Sequence, residues 1–209
     1  MNQATLHYVY DPLCGWCYGT APLLKAAANV PGLAIELHAG GLWLGARRQP
    51  MGVALRDYVR PHDERIAALT GQPFGEDYFE HLLLDERLTL DSEPPIRAIL
   101  AVRTMGGDDL GMLHRLQETH YRDGLWLGEM ERLVSLAREA GLDATEFRQA
   151  YATAPLDTHL AESQQWLSQI GSQGYPTLAL ARQGQLVPIS ASAFLGQPAE
   201  FADHLASLM

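Results

Sequence analysis

The stretch DPLCGWCYG, residues 11–19, contains both cysteines of the chain, so the use of this pair is the first question the sequence raises. It follows TLHYVY (5–10), whose β-branched and aromatic residues predict a strand. The residues from 14–29 are rich in Ala and Leu and predict a helix, which Pro22 is expected to kink. LAIELHA (33–39) predicts a second strand. The two cysteines therefore stand at the start of the helix in a strand–helix–strand unit.

Length and composition limit the class of protein. The chain has 209 residues, of which 47% are hydrophobic and 19% charged, and a formal net charge of −10. Such a chain can bury a sizeable core in one large domain or two small ones. The acidic balance disfavours a nucleic-acid partner, because that binding needs a concentrated basic surface. No apolar segment is long enough to span a membrane, and the start MNQATLHYVYDP lacks a secretory-signal pattern. We therefore expect a cytoplasmic protein with no membrane partner.

The middle of the chain predicts a series of helices separated by Gly, Pro and Asp. Pro61 is expected to break or bend the first of them. Pro94 and Pro95 suit the first turn of a later helix, with Asp91 or Ser92 as its N-cap. The predicted helical segments lie near residues 52–70, 75–84, 94–106, 109–122, 128–140 and 143–152.

The C-terminal part predicts a helix, two strands and a final helix. The first helix covers 157–171, and the strands PTLALA (176–181) and LVPIS (186–190) are joined by a turn. PAEFADHLASL (198–208) predicts the last helix. The chain is thus an α/β protein in which a βαβ start and an αββα end bracket a long helical segment, 44–156.

The spacing of the cysteines suits redox chemistry. Cys14 at a helix start lies beside the unpaired N–H groups of the first turn, and these groups and the helix dipole stabilise a thiolate. Cys17 lies one turn further along the same face and can attack a mixed disulfide formed at Cys14. A structural disulfide is disfavoured, because so short a loop constrains the unfolded chain little and cytosolic thiols are kept reduced. The pair is therefore predicted to be a nucleophile followed by a resolving thiol.

A zinc site is the alternative use of the pair. Structural zinc takes four ligands, usually including more cysteine, so two histidines would have to complete the set. His114 and His120 have a spacing found in zinc sites, but they lie far from the cysteines and on different faces of a predicted helix. The sequence therefore favours redox chemistry and predicts no metal. The histidines considered as ligands are His7, His38, His62, His81, His114, His120, His159 and His204.

The strand followed by CGWCY (14–18), together with GYPTLAL (174–180), resembles the thioredoxin superfamily and, within it, the DsbA-like proteins. The helical insertion and the lack of a signal resemble the cytosolic FrnE-like branch, described as predicted protein-disulfide isomerases. The resemblance implies a thioredoxin-like domain formed by 1–43 and 157–209, with an all-helical insertion domain over 44–156. The activity it implies is that of a thiol–disulfide oxidoreductase or isomerase.

The resemblance also implies roles for individual residues. Cys14 would be the attacking, more exposed thiol and Cys17 the buried one, while Pro176 would be a cis-proline that faces them. Tyr175 would offer its backbone to an extended substrate peptide. Trp16 would line the substrate groove or pack against the insertion. The residues assigned to substrate binding are Tyr175, Trp16 and Gly15.

Two features of the sequence depart from the family pattern. Tyr8 stands where many members have a carboxylate that assists proton transfer, six residues before the first cysteine. Asp11 is nearer to the cysteines, but a turn or helix cap is its favoured role. The dipeptide Gly15-Trp16 contains no histidine, so strong DsbA-like oxidising power is not expected.

The expected partners are protein or peptide thiols and disulfides, with glutathione or a reductase as a further exchange partner. No cofactor is expected beyond the redox-active disulfide itself. One alternative is a glutathione-dependent enzyme of the kappa-transferase or hydroxychromene-carboxylate isomerase type, which shares the inserted-helix architecture. Those enzymes generally use a single serine or cysteine nucleophile, so the second cysteine argues against them. The other alternative is a non-catalytic peptide-binding or holdase module.

Overall fold

The computed structural model describes residues 4–209, so residues 1–3 of the predicted segment 1–43 lie outside it. Its main sheet contains β1 (Ala4–Tyr10), β2 (Leu33–Ala39), β5 (Thr177–Arg182) and β6 (Gln185–Ile189). The strand order is β2-β1-β5-β6. β2 runs parallel to β1, whereas β5 and β6 are antiparallel to their neighbours. This mixed sheet confirms the predicted thioredoxin-like α/β fold.

The helix α1 (Gly15–Ala27) connects the two parallel strands and continues through Pro22. Proline has no N–H, so the carbonyl of Tyr18, one turn earlier, loses its helical donor. The side-chain amide of Gln72 donates to this carbonyl at 3.1 Å. A residue from the inserted segment therefore supplies the hydrogen bond that the proline removes.

The inserted segment is mainly helical, as predicted, and the chain then returns to the sheet. The sequence predicts a break or bend at Pro61, and the break does not occur, because a single helix runs through that residue. The predicted helix 109–122 changes from α-helical to π-helical geometry over Glu118–Arg122. The helices after α1 are α2 (Val53–Thr70), α3 (Glu76–Glu80), α4 (Glu93–Thr104), α5 (Asp109–Gln117), α6 (Met130–Glu139), α7 (Ala144–Ala152), α8 (Leu156–Ile170) and α9 (Pro198–Leu208).

Two short extended segments correct the prediction of an all-helical insertion. β3 (Gln49–Pro50) and β4 (Thr89–Leu90) pair as an antiparallel ribbon. Strands of two residues are too short to show an alternating pattern, so periodicity could not reveal them. The predicted helix 75–84 is also shorter than expected, because α3 ends before His81 and a 3₁₀ turn follows over Leu82–Leu84.

The start of α4 shows which candidate cap is used. Ser92 occupies the N-cap position, but its hydroxyl donates to Asp11 at 2.9 Å and makes no cap bond. The carboxylate of Asp91 instead accepts from the backbone N–H of Glu93 at 3.0 Å. Asp91 therefore provides a hydrogen-bond acceptor for the first turn of α4, whereas Ser92 links α4 to the loop after β1.

The two predicted domains share one buried core. Leu6 and Leu180 of the sheet belong to the same cluster of buried residues as Ile99, Leu113 and Phe147 of the insertion. Side chains in one contact cluster pack on one another, so buried contacts cross the boundary between the two segments. The division into 1–43 plus 157–209 and 44–156 stays a prediction.

The two faces of the sheet carry different chemistry. Successive side chains of a strand point to opposite faces. Tyr8 faces α1, because its hydroxyl donates to the carbonyl of Cys17 at 3.3 Å. His7 faces α8, where its ring stacks on Trp166 with centroids 3.7 Å apart. The cysteines therefore lie on one side of the sheet and His7 on the other. Within residues 4–209, no helix is long and apolar enough to cross a membrane.

Candidate active site

Cys14 stands at the start of α1, as predicted. It is the N-cap residue, with extended backbone angles of φ −100° and ψ 114°. Its Sγ lies 3.8 Å from the carbonyl oxygen of Tyr175, which accepts a hydrogen bond from the thiol. The whole residue is 7% exposed. The sulfur of Cys14 is thus close to the helix N-terminus, where unpaired N–H groups favour negative charge.

Cys17 is completely buried, at 0% exposure, one turn further along α1. Burial raises the pKa of the Cys17 thiol well above its usual value, and a hydrogen bond with Cys14 raises it further. Removing a proton from Cys17 therefore costs more than it does for an exposed thiol. This asymmetry suits Cys14 as the attacking sulfur and Cys17 as the second one.

Tyr175 and Pro176 lie across from the start of α1, where Tyr175 contacts Cys14. The Tyr175–Pro176 peptide bond is cis, as the resemblance implies. Pro176 and Trp16 line a groove of about 540 Å³ that runs along the ends of β5 and β6. The hydroxyl of Tyr175 donates to the carbonyl of Gly40 at 2.8 Å, and a Cβ on Gly40 would overlap the tyrosine ring. The side chain of Tyr175 is thereby held in place, while its backbone faces Cys14.

Gly15 and Trp16 connect the cysteines to the insertion. A Cβ on Gly15 would overlap the Oδ1 atom of Asp63 in α2 and approach Ile66 Cδ1 to 3.2 Å. Glycine is therefore the residue that permits α2 to pack this closely. The guanidinium of Arg65 lies 5.8 Å from the centre of the Trp16 ring. Trp16 also lines the groove, so its side chain contacts both the groove and the insertion, and its role in substrate binding stays a prediction.

A second cavity, of about 240 Å³, lies on the insertion side of Cys14. Cys14 and Trp16 form part of its wall, and aromatic rings of the insertion form much of the rest. Its lining from the insertion includes Asp63, Tyr78, His120 and Tyr121. Cys14 thus lines this cavity, while its neighbour Trp16 lines both the cavity and the groove.

Asp63 is the residue of this cavity that sequence analysis missed. It is 4% exposed, and the hydroxyl of Tyr78 donates to its Oδ2 at 3.0 Å. Burial raises the pKa of Asp63 to about 7, although the hydrogen bond from Tyr78 acts in the opposite direction. A carboxyl group with a pKa near neutrality can both accept and donate a proton at physiological pH.

A helical pattern could have identified Asp63. Leu55, Val59, Asp63 and Ile66 recur at the spacing of one helix face, and this face of α2 packs inward. A carboxylate within an apolar stripe is a candidate for a special role, because an isolated buried charge is costly. The run of charged residues around Asp63 concealed this signal.

Asp11 is confirmed in its predicted turn role. Its Oδ1 accepts from the backbone N–H of Leu13 at 2.8 Å and from the hydroxyl of Ser92 at 2.9 Å. Its Oδ2 accepts from the N–H of Leu42 at 2.6 Å. Burial raises the pKa of Asp11 to about 6, while these three hydrogen bonds act to lower it. Asp11 therefore holds together the loops that follow β1 and β2.

The cysteines do not take part in a metal cluster within the part of the chain that the structure describes. The group of potential metal ligands found there is His7, Glu36 and His38, whose ligand atoms lie within 4.8 Å of one another. It includes neither cysteine, so the zinc arrangement considered for Cys14 and Cys17 does not form among residues 4–209.

Comparisons with known proteins agree with this geometry. Residues 5–200 match the family model of the DSBA-like thioredoxin domain. The chain is 44% identical to the cytosolic disulfide reductase DsbM from Pseudomonas aeruginosa, with a TM-score of 0.88 and 98% of each chain covered. For the structure of DsbM with GSH the identity is 43% and the TM-score 0.89, again with 98% of each chain covered.

A more distant structure shares the fold alone. The oxidoreductase DsbA from Xylella fastidiosa is 12% identical, with a TM-score of 0.54 over 99% of this chain and 86% of that chain. None of the curated proteins matches this chain. The family match covers nearly the whole chain and includes the paired thiols at the start of α1. The chain therefore belongs to the DSBA-like thioredoxin domain family and is a protein disulfide oxidoreductase.

Proposed function

We propose that this oxidoreductase acts in the cytoplasm as a disulfide reductase, with glutathione as its exchange partner. The observation that carries the proposal is the different placement of the two thiols, because Cys14 lines a cavity at the start of α1 whereas Cys17 is completely buried. The similarity to DsbM, a cytosolic reductase with a structure containing GSH, supports the direction and the partner. No bound cofactor is needed, because the sulfur pair itself carries the two electrons.

The reaction consists of two exchanges. The Cys14 thiolate attacks one sulfur of a substrate disulfide, forms a mixed disulfide and releases the other substrate sulfur as a thiolate that is then protonated. Cys17 loses its proton and attacks Cys14 Sγ, which releases the second substrate thiol and leaves a Cys14–Cys17 disulfide. Two glutathione molecules then restore both protein thiols and become one glutathione disulfide.

The backbone of Tyr175 is the proposed anchor for a peptide substrate. Its carbonyl oxygen accepts a hydrogen bond from the Cys14 thiol in the reduced protein. This donor disappears once Cys14 is in a mixed disulfide, so the oxygen becomes available to an N–H of the bound peptide. Pro176, Trp16 and Gly15 complete the proposed site, the first two as walls of the groove.

Asp63 is proposed as the proton relay for the first exchange. Its carboxyl group borders the same cavity as Cys14 and packs against the next residue, Gly15. As a carboxylate it can take the proton from the Cys14 thiol, and as a carboxylic acid it can return that proton to the departing substrate thiolate. Asp63 thus supplies the carboxyl group for proton transfer. Many family members have that carboxyl group at the position that Tyr8 occupies in this chain.

The redox potential tests the proposed direction. We expect a value in the reductase range, more negative than about −200 mV, because no cation between the cysteines stabilises the reduced form as strongly as in DsbA. The fractions of dithiol and disulfide are measured by alkylation after equilibration in glutathione buffers. A potential near that of DsbA, at about −120 mV, would instead identify the protein as an oxidase.

The partner is tested by coupling turnover to glutathione. With glutathione, glutathione reductase and NADPH, we expect steady reduction of a small disulfide, because GSH reopens the Cys14–Cys17 bond. The Cys17→Ser variant should retain one glutathione per chain at Cys14, visible by mass spectrometry and removable by dithiothreitol. Turnover supported by thioredoxin and its reductase but not by glutathione would contradict the assignment. Conjugation of GSH to an electrophile in place of disulfide reduction would favour the kappa-transferase alternative.

A further inference from the structure

A second group of chemically active side chains lies on the face of the sheet opposite the cysteines. β1 and β2 are parallel, with His7 opposite Glu36 and Val9 opposite His38. Residues at alternate positions share a face, so His7, Glu36 and His38 project toward the same side, where α8 packs. β2 is an edge strand of the sheet. The cluster is therefore built across two neighbouring strands, next to solvent.

The ligand atoms of the cluster are spaced for one metal ion. His7 Nδ1 lies 3.0 Å from His38 Nε2 and 3.4 Å from Glu36 Oε2, and His38 Nε2 lies 4.0 Å from Glu36 Oε1. Zinc binds nitrogen and oxygen at about 2.0–2.2 Å, which separates the ligand atoms of a tetrahedral site by about 3.3–3.5 Å. The three distances bracket this separation, so small side-chain rotations suffice to surround an ion.

Burial gives the cluster fixed histidines and one movable carboxylate. The side chains of His7 and His38 are 6% and 5% exposed, whereas that of Glu36 is 53% exposed. The ring of Trp166 stacks on that of His7 and fixes its plane. An ion can therefore approach from the solvent side, past Glu36, and meet two imidazole nitrogens that are already in position.

His159 lies nearby, but its Nε2 atom cannot bind a metal ion because it already accepts a hydrogen bond. His159 Nε2 accepts a hydrogen bond from the backbone N–H of Ala39 at 2.9 Å. The lone pair of His159 Nε2 is occupied by this hydrogen bond, so His159 holds the end of β2 in place. Among residues 4–209 the group supplies three protein ligands, which leaves the fourth position of a tetrahedral ion to water.

We propose that His7, His38 and Glu36 form a binding site for a divalent transition-metal ion of the zinc class. Two imidazoles and one carboxylate are ligands suited to zinc and its first-row neighbours. In the bound state His7 carries its proton on Nε2 and His38 on Nδ1, so both facing nitrogens present lone pairs. The ring that donates the hydrogen bond in the metal-free protein changes tautomer through solvent, so no net proton is released from the two neutral rings. The ion links edge strand β2 to β1 and is separate from the redox pair.

The test uses protein whose Cys14–Cys17 disulfide is closed, because free thiols bind zinc by themselves. Calorimetric titration with Zn²⁺ should show one ion per chain, and Co²⁺ in its place should give the strong visible absorption of a tetrahedral site. Glu36→Gln should weaken the binding by about tenfold or more, and His38→Gln should remove it. Glu162→Gln, an exposed glutamate on α8, is the matched control and should bind as the unaltered protein does.

Two results would overturn this site. One is the absence of stoichiometric Zn²⁺ binding to the oxidised protein, which would leave the pair as a hydrogen bond between two neutral imidazoles. The other is binding that both Glu36→Gln and His38→Gln leave unchanged, which would place the ion elsewhere. Glu36 is exposed, so its variant remains informative even where the replacement of buried His38 prevents folding.

Discussion

Replacing Cys14 with serine should lower the rate of disulfide reduction by about a thousandfold or more, because a hydroxyl at this position cannot form the attacking thiolate. The fold should survive, since serine is close to cysteine in size and Cys14 lines a cavity, so its replacement removes few packing contacts. Turnover of a peptide disulfide, with circular dichroism as the check on folding, measures both effects.

The matched variant is Cys17→Ser, which should behave differently. Its first exchange remains possible, but no resolving thiol follows, so a mixed disulfide at Cys14 should accumulate. In the reduced unaltered protein, Cys14 should also react with an alkylating agent faster than Cys17, which is completely buried and holds its proton. Equal alkylation of the two sulfurs, or a mixed disulfide trapped on Cys17 instead, would contradict the division of roles.

The same pair of variants distinguishes an enzyme from a holdase. A module that only binds peptides through its groove would keep its effect on a client protein in the Cys14→Ser variant. We expect that effect to disappear together with turnover, because the proposed function needs the Cys14 sulfur and not the groove alone.

Replacing Asp63 with asparagine should slow the reductase reaction by about a hundredfold near pH 7, the usual scale for the loss of a general acid–base group. The pKa of Asp63 is raised to about 7, so the carboxylate form that accepts the Cys14 proton increases as the pH rises through this value. The rate of the unaltered protein should therefore rise between about pH 6 and pH 8. In Asp63→Asn this rise should disappear.

The Tyr78→Phe variant tests the same role by changing the pKa of Asp63 without removing its carboxyl group. The Tyr78 hydroxyl donates to the Asp63 carboxylate and lowers its pKa, so removing the donor should raise that pKa. The pH–rate profile should then move to higher pH while the full rate is still reached. Asp57→Asn is the control, because Asp57 lies on the same helix but is exposed. A profile of Asp63→Asn that coincides with that of the unaltered protein would show that Asp63 has only a packing role.

Several features were determined by the local sequence. A strand followed directly by CGWCY places Cys14 at the beginning of a helix, and the three-residue spacing places Cys17 on the same face one turn later. Pro176 before a strand indicated the facing wall of the site, and the structure places Tyr175 beside the Cys14 sulfur. These features depend on residues close together in the chain, so periodicity, turn residues and motif resemblance were sufficient to predict them.

Tertiary structure decided the rest, because it brings together segments whose partners no local pattern identifies. Asp63 borders the Cys14 cavity only because α2 packs on α1 at Gly15. Similarly, β3 pairs with β4 although α2 and α3 separate the two strands in the chain. Burial, which gives Asp63 a pKa near 7, is likewise a property of the assembled core. The facing of His7 and His38 follows from the parallel register of β1 and β2, and a shift by one residue would turn their side chains to opposite faces. The chemistry of the cysteine pair is thus determined by residues close to it in the sequence, whereas the groups that surround it depend on long-range packing and register.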